Sequence, residues 1–177
     1  MKESEIRQIP LTALLAVSGI ILPQFFHLLG LGAVFMPMFL PVMLGGLLLR
    51  WRFALVLAVV TPLASFTITG MPPITPPVLP VMMTELMLIS SILSLLHVHL
   101  QKNKWAALIS AIVADRFFLF IVAYFLAPVF GLPQMFASFS LVISGIPGII
   151  LQLIVLPAAL VFIEKKFPQY LNPGLEK

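Results

Sequence analysis

The chain has 177 residues, of which 61% are hydrophobic and only 9% are charged. Soluble domains are about 45–50% apolar and about one quarter charged, so this composition excludes a soluble globular protein and predicts an integral membrane protein. The absence of cysteine excludes disulfides, zinc thiolate sites and thiol catalysis. The formal net charge of +4 does not indicate a nucleic-acid partner, because the basic residues lie in short segments between apolar stretches.

Six apolar segments are candidates for crossing a bilayer, whose hydrocarbon core of about 30 Å needs about 20 helical residues. Prolines in or beside several of them predict kinks and soft ends. We find no internal repeat and no long linker, so residues 1–177 are predicted to form a single all-α transmembrane domain. The predicted spans are residues 9–26, 34–49, 53–69, 78–96, 105–127 and 138–163.

The distribution of lysine and arginine predicts the orientation of these spans. The connections 27–33, 70–77 and 128–137 contain neither residue. The positive-inside rule therefore places both termini in the cytoplasm (N-in/C-in) and the three uncharged connections outside. The basic residues on the cytoplasmic side are Lys2, Arg7, Arg50, Arg52, Lys102, Lys104, Lys165, Lys166 and Lys177.

Three charged residues remain inside the predicted spans: Glu85 in the fourth, and Asp115 and Arg116 in the fifth. Each costs about 2.5–3.5 kcal/mol at the bilayer centre, so each needs a partner or a wet cavity. The two spans form an antiparallel hairpin in which these residues are expected at similar depth. Either they form a salt bridge or cluster that fastens the hairpin, or they form a polar patch that receives a ligand. Because adjacent helical residues point about 100° apart, Asp115 and Arg116 are not expected to share one partner.

Other polar residues are secondary candidates for the same site. Tyr124 continues a helix face that begins at Arg116, which is typical either of a site that grips an anion and stacks a ring or of an aromatic helix–helix seam. Gln152 places an amide at mid-depth in the sixth span, and a buried amide needs partners. Thr84 precedes Glu85, and His27 opens the first external connection.

The segment GMPPITPPVLP at residues 70–80 contains five prolines. Proline fixes φ and lacks an N–H, so this connection is predicted to be a stiff turn outside the membrane. The chain contains no phosphate-binding G-x-x-x-x-G-K-[ST] sequence and no visible pair of nucleophile and base, so it has no apparent means to hydrolyse ATP.

These features together resemble the substrate-binding S components of energy-coupling factor (ECF) transporters. The resemblance depends on LTALLAVSG at 11–19, FMPMFLPVMLGGLLL at 35–49, GMPPITPP at 70–77 and PVMMTELMLISSIL at 80–93. Two features depart from the family pattern. The inner turn at 49–52 lacks the usual Gly-Pro, and the first span offers Thr12-x-x-x-Ala16 and Ala13-x-x-Ala16 in place of Ala-x-x-x-Ala.

The resemblance implies an S-component-like bundle in the plasma membrane of a prokaryote, which captures a water-soluble vitamin or related micronutrient. Its implied partners are a transmembrane coupling subunit (T component), docked at Thr12, Ala13 and Ala16, and two cytoplasmic ATPases. The start Met-Lys-Glu lacks the Met-His of nickel and cobalt members, so no metal is expected, and no cofactor. The implied lid comprises Gly70, Met71, Pro72 and Pro73, and the implied substrate site comprises Glu85, Arg116, Asp115, Thr84, Tyr124, Gln152 and His27.

Two other classes of function stay open at this point. In a small intramembrane enzyme, Glu85 and Asp115 would act as acid and base. In a structural or assembly protein, the charged residues would only hold helices together.

Overall fold

The computed structural model describes residues 3–74, 77–127 and 145–166, and every regular element in these ranges is a helix. Short π-helical segments, Ser94–His99 and Val122–Leu126, extend the fifth and sixth helices. The helices are α1 (Glu3–Leu28), α2 (Gly32–Phe35), α3 (Phe39–Leu48), α4 (Trp51–Thr69), α5 (Val78–Leu93), α6 (Lys104–Ile121) and α7 (Ile146–Lys166).

Among the described residues, five helices are long and apolar enough to cross a membrane: α1, α4, α5 and α6 with their π-helical extensions, and α7. The first four lie at the positions of the predicted spans 9–26, 53–69, 78–96 and 105–127. Within the predicted span 138–163, α7 begins at Ile146, and residues 138–144 lie outside the described residues. Exposed apolar side chains such as Leu14, Ile68 and Phe117 cover the outer surface, which suits contact with lipid.

The predicted span 34–49 is not one continuous helix. α2 ends at Phe35, and Met36 adopts a left-handed conformation with φ of 46° before the chain enters α3. Pro37 explains the break, because proline lacks an N–H and disfavours helical geometry in the residue before it. With ten residues, α3 is only about 15 Å long, too short to cross a bilayer by itself.

α3 lies at the centre of the bundle, in contact with α1, α4, α5 and α7. Nine of its ten residues are buried, as expected for a helix that is apolar on all sides. Gly46 allows α5 to approach closely, because a Cβ atom at this position would lie 2.9 Å from the Cβ of Leu93. A short central helix is therefore surrounded by longer ones.

Hydrogen bonds and an ion pair gather the basic segments at one end of the bundle. The Gln8 side chain in α1 accepts a hydrogen bond from the Arg50 N–H at 2.8 Å, so the chain returns to the start of α1 after α3. Lys104 Nζ lies 3.8 Å from Glu164 Oε2, which brings α6 and α7 together there. We call this the basic end. The opposite end, which carries the turn at 29–31 and the connection at 70–77, is called the loop end.

Candidate functional site

A cavity of about 280 Å³ lies at the loop end, above the first residues of α3. It exists because α3 is shorter than its neighbours: α1 covers about 30 Å from Gln8 to Leu28, whereas α3 covers about 15 Å. The break between α2 and α3 forms part of the wall through Met36, Pro37, Met38 and Phe39. The other described lining residues are Pro23, Gln24, His27, Gly32, Ser65, Met71, Pro72, Pro73, Val78, Val81, Met82, Glu85 and Leu119.

Few polar groups face this largely apolar cavity. Glu85 is 6% exposed and comes from the second turn of α5. Gln24 comes from α1, and its buried Nε2 has no hydrogen-bond partner among the described residues. The His27 ring packs against Gly32, where a Cβ atom would lie 2.6 Å from the imidazole. The cavity therefore combines an apolar body with a carboxyl, an amide and an imidazole.

The proline-rich connection forms one wall of the cavity through Met71, Pro72 and Pro73. Gly70 ends α4 with φ of 73°, and its N–H bonds the carbonyl of Phe66. Beyond it, the Met71 N–H donates to Thr69 Oγ1 at 3.2 Å, and the Leu79 N–H donates to the Pro73 carbonyl at 3.0 Å. Residues 71–73 are thus tied to α4 on one side and to α5 on the other. Residues 75–76 of the same connection lie outside the described residues.

Asp115 and Arg116 pair with each other, an arrangement that the sequence did not indicate. Arg116 Nε donates to Asp115 Oδ2 at 3.1 Å, and Arg116 Nη2 donates to the same oxygen. The pair is possible because the long arginine side chain curls back along α6. The Glu85 carboxyl is an electrostatic neighbour of both side chains. Glu85, Asp115 and Arg116 therefore form one ionisable cluster, of which only Glu85 is among the described residues that line the cavity.

Three sequence-predicted site residues lie elsewhere. Thr84 is exposed, and its hydroxyl donates to the carbonyls of Pro80 and Val81 in its own helix. Tyr124 is 51% exposed, and its ring lies 4.6 Å from that of Phe120. Gln152 is buried in α7 but is not among the described lining residues.

Sequence reasoning did not single out Gln24. Gln24 precedes His27 by three residues, so the two share a face of α1. An uncharged amide within an apolar span is the signal that could have identified it. Prolines in the segment 34–49 predicted a kink, and the break at Met36–Pro37 lies there, but a hydropathy pattern alone does not reveal that the helix is interrupted.

The proposed docking residues lie on α1, the least buried of the five long helices. Ala13 is exposed, while Thr12 and Ala16 are half-buried. The Thr12 hydroxyl donates a hydrogen bond to the Gln8 carbonyl at 2.7 Å, so it has an acceptor within its own helix. A small-residue face of α1 is accordingly open to lipid or to a partner helix.

Comparison with known proteins gives one match. A family model described as the substrate-specific component of ECF transporters matches residues 7–160, which is most of the chain. No curated protein and no solved structure matches. Members of this family are substrate-binding transporter subunits and not enzymes, so the enzyme alternative is wrong. The family and the five long apolar helices indicate a multi-pass protein of a prokaryotic plasma membrane. The chain belongs to the substrate-specific (S) components of ECF transporters.

Proposed function

We propose that the loop-end cavity binds a water-soluble vitamin or related micronutrient on the outer side of the membrane. The observation that carries this proposal is the cavity itself, about 280 Å³ in volume, with the buried Glu85 in its wall and residues 71–73 beside it. Ligand sites in proteins are usually apolar concave spaces with a few oriented polar groups. This cavity has that character.

The orientation of the bundle supports entry from outside. The described lysines and arginines flank the helices at the basic end, apart from Arg116, and basic loops are typically cytoplasmic. The loop end, with the cavity, then faces outward. The N-in/C-in arrangement requires the α2–α3 segment to return the chain across the bundle, and the bond between Gln8 and Arg50 is consistent with this return.

In this proposal residues 70–73 act as the lid of the site. Met71 is 47% exposed and also lines the cavity, so its side chain lies between the cavity and solvent. The flanking prolines restrict the backbone, which lowers the entropy lost when the lid closes over a ligand. The hydrogen bonds at Thr69 and Pro73 fix both ends of this short segment.

The partners in the proposal are a T component and two ATPases. α1 is the helix best placed to dock the T component, because its Ala13 face is not covered by the described part of the bundle. The ATPases would supply the ATP hydrolysis for which this chain has no sequence motif. The bound substrate would then be released to the cytoplasmic side.

Isothermal titration calorimetry tests the substrate role. The purified full chain is titrated with a panel of water-soluble vitamins and their precursors, and we expect one member to bind tightly. In Glu85→Gln the affinity for that member should fall about 10- to 100-fold, because a hydrogen bond to a charged group is lost.

Glu164→Gln is the matched control, since it makes the same chemical change at the basic end, where Glu164 approaches Lys104. Its affinity should equal that of the unmodified chain. No binding by any panel member, or equal losses in the two variants, would contradict the proposal.

A further inference from the structure

The charge of the cavity wall restricts the ligands that it can hold. Among the described lining residues there is one carboxyl, Glu85, and one imidazole, His27, but no lysine or arginine. The remaining wall is dominated by methionine, proline and aliphatic side chains. Burying a charged ligand group without an opposite charge or hydrogen bonds is costly. A carboxylate or phosphate would therefore find no guanidinium or ammonium group in this part of the wall.

The guanidinium of Arg116 does not change this conclusion. Arg116 donates two hydrogen bonds to Asp115, and its side chain is 18% exposed. The cluster of Glu85, Asp115 and Arg116 contains two carboxyls and one guanidinium, so it has a net positive charge only if both carboxyls carry protons. An anionic ligand would otherwise meet a cluster that is neutral or negative.

Two polar residues of the cavity wall indicate which polar groups a matching ligand carries. Glu85 provides carboxyl oxygens that accept hydrogen bonds or pair with a cation. Gln24 lines the cavity, and its side-chain amide can donate to or accept from a ligand. Met36 and Met82 have flexible side chains that can adapt to the shape of an apolar or ring-shaped ligand.

We propose that the cavity selects a compact neutral or cationic ligand and rejects carboxylates and phosphates. The ligand has an apolar or ring-shaped body, a donor or positive charge for Glu85, and a hydrogen-bonding group for the amide of Gln24. This inference depends on the proposed role of the cavity as the substrate site and adds the chemical class of the substrate.

The absence of cysteine allows a test that does not require the substrate to be known. Single cysteines are introduced as Ser65→Cys and Met82→Cys in the cavity wall, and as Leu29→Cys in the exposed turn of the loop end. The purified proteins react with a cationic methanethiosulfonate (trimethylammonium-ethyl) and an anionic one (sulfonatoethyl) of similar size. The ratio of the two rates at Leu29→Cys corrects for the intrinsic difference between the reagents.

We expect the corrected cation-to-anion ratio to be at least about tenfold at both cavity positions, because the reagents feel the carboxyl at short range in a medium of low dielectric constant. In the Glu85→Gln background the ratio should move toward one. Thermal unfolding of each variant checks that the fold is retained, and either cavity position alone is sufficient for the measurement.

Four results would overturn the inference: a corrected ratio near or below one, a ratio insensitive to Glu85→Gln, labelling of Leu29→Cys with no labelling at either cavity position, or tight binding of an anionic vitamin in the calorimetry. The outcome is separable from that of the calorimetry. A tenfold ratio with no vitamin bound would contradict the proposed function and leave the charge preference intact. Tight binding of an anionic vitamin would support the proposed function and contradict the charge preference.

Discussion

The pair between Asp115 and Arg116 predicts a specific pattern of stability in three variants. Asp115 is 3% exposed, and its Oδ2 accepts two hydrogen bonds from the guanidinium, while Oδ1 has no hydrogen-bond partner among the described residues. Arg116→Gln removes the opposite charge and leaves a buried carboxyl beside Glu85. Removing one partner of a buried pair typically costs about 3–5 kcal/mol. Since the arginine side chain is 18% exposed, we expect the lower value, about 3 kcal/mol.

The second variant, Asp115→Asn together with Arg116→Gln, removes both charges while keeping the shape of the first side chain. It should be more stable than Arg116→Gln alone by about 1–3 kcal/mol, because the uncompensated carboxyl is gone. Arg52→Gln is the matched control. Arg52 is exposed at the basic end, stacked over Trp51 at 5.5 Å, and its loss should cost at most about 1 kcal/mol.

Equilibrium unfolding of the purified proteins in one detergent measures all three free energies. The expected order of stability is Arg52→Gln, then the double variant, then Arg116→Gln. If Arg116→Gln is as stable as Arg52→Gln, the pair does not hold α6 in place. If the double variant is no more stable than Arg116→Gln, the cost does not come from a buried carboxyl.

Three further predictions concern packing, a helix contact and the aromatic face. Gly46→Val should lower the free energy of unfolding by about 1–3 kcal/mol, because its Cβ would lie 2.9 Å from that of Leu93, and unchanged stability would show that α3 and α5 can separate without cost. Gln8→Leu should cost about 1–3 kcal/mol in the same assay by leaving the Arg50 N–H without its acceptor, whereas a gain in stability would contradict this contact. Tyr124→Phe should leave the affinity measured by calorimetry unchanged, because Tyr124 is 51% exposed and is not among the described lining residues. A loss of affinity above about tenfold would place its hydroxyl in the site.

The sequence is most informative about the long helices. Apolar runs near 53–69 and 105–127 coincide with α4 and α6, because lipid contact demands continuous apolar surface and full internal hydrogen bonding. Reading an apolar segment as one membrane-spanning helix gave the wrong result at 34–49. There the chain forms a break and a short buried helix. Hydropathy does not distinguish a helix surrounded by lipid from one surrounded by protein.

The site was predictable to a lesser degree. Glu85, His27 and residues 71–73 line one cavity, and the sequence marked them as an intramembrane charge, an imidazole at the start of an external connection and a proline-rich segment. Arg116 was expected to serve a ligand or to pair with Glu85; its guanidinium bonds the adjacent Asp115 and is also an electrostatic neighbour of Glu85. Such a pairing depends on the conformation of a flexible side chain, which helix geometry alone does not determine. Gln24 was also not predictable, because the burial of its amide is known only once the helices are packed.

The position at which α3 starts and its small length also determine how this cavity can vary. Its floor is the first turn of a helix, so adding one turn before Phe39 would raise the floor by about 5.4 Å and fill much of the space. Moving the break at Met36 in the other direction would deepen the cavity by a similar step. Chains of this architecture could therefore accommodate substrates of different sizes by shifting one helix start along the sequence, while the surrounding helices that meet the lipid stay unchanged.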